Sequence, residues 1–88
     1  MGEENQTDAQ LVGLQALAAT LADERRAERL LATTGLTPQD LRERADRPQV
    51  LAAVLTFLEA HEPDLIAVAE ALSIPPERLV AARERLDR

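Results

Sequence analysis

Proline divides this chain. Pro38, Pro48, Pro63, Pro75 and Pro76 all lack the N–H that a helix interior or a central strand requires. Each is well suited to the first turn of a helix, where that N–H has no intrahelical partner and the fixed φ is already helical. The segments between them are rich in Leu, Ala and Val at helical spacing, and none alternates with period two, so no strand is expected. The pattern predicts an all-α fold: a compact bundle of five or six short helices around a central apolar helix.

A disordered lead is expected over residues 1–7, followed by one helical domain over 8–88. The first helix is expected from Thr7 or Asp8 to Ala22, with Leu11, Leu14, Leu17, Ala18 and Leu21 as its apolar stripe. Asp23 reads as the N-cap of a second helix that buries Ala27, Leu30 and Leu31 and stops at Gly35, a residue suited to positive φ at C′. Thr37-Pro38-Gln39-Asp40 is a start signal of capping-box type. The helix it opens, about 38–46, turns Leu41 and Ala45 inward and carries Asp40/Arg44 and Glu43/Arg47 as i,i+4 pairs with the acid first. The fourth helix, about 48–60, has Val50, Leu51, Val54, Leu55, Phe57 and Leu58 nearly all round it, which marks it as the post on which the others pack. Pro63 at N1 opens a fifth helix that buries Leu65, Ile66, Val68, Ala69 and Leu72, and a sixth after Pro76 turns Leu79, Val80, Ala82 and Leu86 inward. Gly35–Leu41 resembles Ser73–Leu79 in residue type, so the pattern is either an internal duplication or the same capping chemistry used twice.

The residues available for chemistry are few. The chain has no Cys, Lys, Tyr or Trp, and one each of His, Ser, Phe and Asn. Without Cys there is neither a disulfide nor a thiolate zinc site. His61 has Glu59, Glu62 and Asp64 nearby, but one imidazole among carboxylates that can reach water is a weak ligand set, and no nucleophile accompanies it. The three glycines are too far apart for a phosphate loop. The carboxylates fall on faces opposite apolar stripes and read as solvated surface. No residue is therefore assigned to catalysis, to a cofactor or to a metal, and the chain is not expected to be an enzyme.

Charge bears on partners. Sixteen acids stand against ten bases, all of them Arg, for a net charge of −6. Exclusive use of Arg fits the codon bias of a GC-rich genome, with selection for bidentate contacts as the alternative. Each Arg of the two turn-following helices has an acid nearby, and stacking aromatics are missing, so nucleic acid is disfavoured as a partner. The polar start lacks the basic and apolar regions of a signal peptide, and no apolar run approaches the roughly 18 residues of a membrane span, so a cytoplasmic protein is expected.

Gly35-Leu36-Thr37-Pro38-Gln39-Asp40-Leu41-Arg42, Leu51–Leu58, Glu62, Pro76-Glu77 and Ala82-Arg83 together resemble the small bacterial family called domain of unknown function 3572. The resemblance runs from about Gln10 to Leu86 and implies a compact all-helical cytoplasmic protein. It carries over no functional residue. The expected function is a non-catalytic protein-interaction module with an unidentified protein partner or a second copy of itself. An acidic helix-turn-helix-like regulator of nucleic acid, or a structural subunit of an enzyme complex, are the alternatives.

Overall fold

The computed structural model describes residues 6–88 as six α-helices: α1 Gln6–Leu21, α2 Glu24–Thr34, α3 Pro38–Arg44, α4 Pro48–Glu59, α5 Glu62–Leu72 and α6 Pro76–Leu86. No strand occurs among the described residues. Gln6 and Thr7, expected in the lead, belong to α1, and residues 1–5 lie outside the described part.

The caps fall where the sequence places them. Asp23 accepts the Arg26 N–H at 3.0 Å. Thr37 and Asp40 form a reciprocal capping box, with both bonds at 3.0 Å. Gly35 ends α2 at φ 78°, and its N–H reaches the Leu31 carbonyl. Ser73 does the same for α5 at φ 59°, an unusual conformation for a residue with a side chain. It is held by a pair of bonds, Ser73 N–H to the Glu70 carbonyl and Ile74 N–H to the Ala69 carbonyl.

α4 is the centre. Val50, Leu51, Val54, Leu55, Phe57 and Leu58 are all buried, and α1, α2, α5 and α6 all pack on it. The side of α1 that meets α4 is not the expected stripe. Ala9, Val12, Gly13, Ala16, Leu17 and Thr20 face inward, while Leu11, Leu14 and Leu21 are 55%, 38% and 41% exposed and Ala18 is exposed as well. The reason is steric. A Cβ built on Gly13 would lie 3.0 Å from the Leu51 Cβ, so at that point of the crossing the two helices approach too closely for a larger side chain. Thr20 tolerates burial because its hydroxyl donates to the Ala16 carbonyl at 2.7 Å.

Smaller corrections follow. Ile66 is 41% exposed, and Ala27, Leu31, Leu65, Leu72 and Val80 are only half-buried. Glu62 is the first helical residue of α5, which puts Pro63 one place further in than expected. The Asp40–Arg44 pair forms at 2.7 Å. α3 ends at Arg44, so Arg47 leaves the helical register and Glu43 accepts instead from the Gln39 amide at 2.8 Å.

The two halves correspond in geometry. Leu21 and Glu59, Glu24 and Glu62, Thr34 and Leu72, Pro38 and Pro76 are matching helix ends, each pair 38 positions apart. Burial repeats at the same offset: Val12, Gly13, Ala16, Leu17, Thr20 and Leu30 match Val50, Leu51, Val54, Leu55, Leu58 and Val68. The contacts are reciprocal too, because α1 packs on α2 and α5 as α4 packs on α5 and α2. This is a local correspondence between the halves. It fails for the third helix of each half: α6 packs against both α1 and α4, whereas α3 buries no residue.

Leu55→Ala removes a side chain with 0% exposure from the middle of α4 and is expected to lower unfolding free energy by about 2–5 kcal/mol. Urea denaturation measures this, and a loss under about 1 kcal/mol would contradict the central placement. Gly35→Val has open space around it but must adopt φ 78°, so a cost above about 1 kcal/mol is expected from backbone strain alone; a neutral substitution would show that the α2 terminus readily refolds.

Candidate functional site

One carboxylate departs from the expectation of solvated surface. Asp64, in the first turn of α5, is 2% exposed. α2 reaches it with Arg26 and Arg29, which are one turn apart and so share a face. Arg29 grips it as a fork, Nη1 to Oδ2 at 2.7 Å and Nη2 to Oδ1 at 2.8 Å. Arg26 adds Nε to Oδ1 at 2.9 Å. His61, the residue that caps α5, sits with Nδ1 at 3.0 Å from Oδ2, and since an ionised carboxylate only accepts, Nδ1 is the donor.

These four bonds fill the acceptor positions of both oxygens. The Arg29 hydrogen bonds hold the Asp64 carboxyl well below the usual carboxylate range, against the opposing effect of burial, and Arg26 and His61 add to them. A general base needs a free lone pair and a pKa near the working pH, and Asp64 has neither. The cluster is a clasp between α2 and α5. A second fork, Arg83 to Glu59 at 2.7 and 3.3 Å, ties α6 to α4, and Arg83 also reaches Asp87 at 3.0 Å. Lysine, a point donor, could not make either fork.

The Asp64 clasp also backs a surface feature. The Arg29 guanidinium carbon lies 5.7 Å from the centre of the Phe57 ring, within cation–π range. Phe57 in turn lines a groove of about 700 Å3 between the C-terminal end of α2, the outward side of α4 and the C-terminal end of α6. Its floor is made of small residues, Ala52, Ala53, Thr56 and Ala60, spaced along one face of α4. Gln49, Thr33 and Thr56 supply an amide and two hydroxyls, whereas the Thr34 hydroxyl is engaged with the Leu30 carbonyl and the Leu36 N–H. Charge enters only at one end, through Asp87 and Arg88. The volume is in the range of about 300–1,000 Å3 typical of ligand sites. The lining offers apolar contact and a few hydrogen bonds, without an imidazole or thiol to carry a reaction.

Among the described residues no group of three His, Cys, Asp or Glu is placed to hold a metal, and no helix is long and apolar enough to cross a membrane. Of the arginines, Arg26, Arg29, Arg44 and Arg83 each hold a carboxylate.

A family model described as protein of unknown function (DUF3572) matches residues 6–88. Nothing among curated proteins or solved structures matches the chain significantly.

Because the folded-state pKa of Asp64 is depressed, its contribution to stability is present above about pH 4, the unfolded value, and is lost as pH falls through the folded value. Asp64→Asn keeps the shape but sets an amide against two guanidinium groups. It is expected to cost on the order of 2 kcal/mol at pH 7, less than the about 3–5 kcal/mol for a fully buried pair because Arg29 can turn to water. Urea titrations at pH 7 and pH 3 decide: the variant should lose less stability than the wild type between the two. Equal losses would mean that Asp64 does not set the acid limit.

Proposed function

The chain belongs to the protein family of unknown function DUF3572, and from that premise we propose that it is a non-catalytic protein-interaction module whose groove on α4 seats a helical segment of a partner protein. The observation that carries this reading is the relief and neutrality of the groove. In a chain that is 30% charged, the floor from Gln49 to Ala60 presents no ionised side chain to the groove. Alanine and threonine at helical spacing there let another backbone come close, as grooves that accept amphipathic helices do. The rigid clasp behind Phe57 holds the floor in place before binding, which limits the ordering cost of association.

The paired arginines support a protein partner over nucleic acid, since each guanidinium presents its carboxylate with it and the net charge of −6 opposes a polyanion. A reducing cytoplasm suits a chain without cysteine.

A photo-crosslinking amino acid at Ala53, in the groove, is expected to trap a protein in the host cell, while the same group at Glu70, on the exposed side of α5, traps none. Thr56→Arg should abolish the Ala53 product. Equal trapping at both positions, or none at Ala53, would remove the groove as the binding site.

A further inference from the structure

Of the stripe expected on α1, Leu17 is buried while Leu11, Leu14, Ala18 and Leu21 face solvent. Leu11, Leu14, Ala18 and Leu21 follow one another at three, four and three positions, the spacing of a coiled-coil seam. The three leucines are 55%, 38% and 41% exposed, so the seam is a ridge with no partner in this fold. α1 carries no charged residue from Ala9 to Ala22, whereas the chain as a whole is 30% charged.

The equivalent face of the second half is the groove. At the offset of 38, Leu11, Leu14 and Ala18 correspond to Gln49, Ala52 and Thr56. Of these only Leu14 and Ala52 exchange a large side chain for a small one, and Leu21 corresponds to Glu59, which Arg83 holds; the α4 face therefore lacks the leucine ridge that α1 presents. We infer that the two faces fit each other in trans: the α1 ridge of one molecule docks in the α4 groove of a second copy. This rests on the groove being a helix-binding site, as proposed above, and names its occupant. Two features favour a second copy as that occupant. A ridge of leucines complements a floor of alanine and threonine in relief. The ridge and the α4 floor carry no charge, Asp87 and Arg88 entering at one end of the groove only, so this contact adds little like-charge repulsion between two chains of net charge −6.

The contact is head-to-tail, because the patch that docks and the patch that receives are different. One helix in one groove falls below the roughly 1,200 Å2 of a standard interface, so the association is weak, with a Kd in the micromolar range or above.

Sedimentation of the wild type from about 10 µM to about 1 mM should show reversible, concentration-dependent association over the range that such affinities span. Leu14→Glu breaks the ridge and Thr56→Arg breaks the groove; both sites are exposed, and circular dichroism and thermal melts confirm that each variant folds. Each variant alone should stay monomeric. Mixed, they should form a one-to-one pair and nothing larger, because the intact ridge of the second enters the intact groove of the first. Self-association of either variant at wild-type strength, or a mixture that remains monomeric while the wild type associates, would overturn the inference. A monomeric wild type whose Ala53 crosslinks still trap another protein would overturn the second-copy assignment alone. A monomeric wild type with no trapped product would overturn the helix-binding reading with it.

Discussion

The close crossing of α1 and α4 governs this fold. Gly13 and Leu51 meet where a single added carbon would lie 3.0 Å from the Leu51 Cβ. That contact sets the rotation of α1 about its own axis, directs the small residues inward and turns three leucines out. Gly13 and Leu51 are also equivalent positions of the two halves, and they touch each other. Arg26 and Asp64 are a second equivalent pair in contact, 38 positions apart and 2.9 Å between Nε and Oδ1. α6 rests on both α1 and α4, and the third helix of the first half is left at the periphery with half-buried Leu41 and Ala45 as its hold.

The charged clasps complement this apolar crossing. Hydrophobic contact is non-directional and would tolerate several rotations of α2 and α6 against the centre. The Arg29–Asp64 and Arg83–Glu59 forks have fixed planes and bond directions, so they select one. In this chain the guanidinium group supplies orientation while leucine and valine supply burial.

Local chemistry was legible in the sequence and distant contact was not. The clearest helix boundaries are written within four or five residues, as in Thr37-Pro38-Gln39-Asp40, where the caps are made by neighbours along the chain. The core face of α4 was equally clear, because a helix apolar nearly all round has few alternatives. The rotation of α1 was misjudged because leucine outweighs alanine and glycine in any reading of apolarity, while the decisive contact comes from Leu51, far along the chain. Asp64 has the look of an ordinary first-turn acid, and only the arrival of Arg26 and Arg29 from another helix explains its burial. The groove is assembled from three helices, and no single segment announces it.

The packing of α6 on α1 is the most extensive contact between helices, and it joins the earliest described helix to the last. During synthesis the first five helices leave the ribosome before that contact can form. Val12, Ala16, Leu51 and Leu55 must wait for Leu79, Ala82 and Leu86 before the core is shut. A chain that still lacks α6 therefore exposes those apolar positions to any other apolar surface it meets.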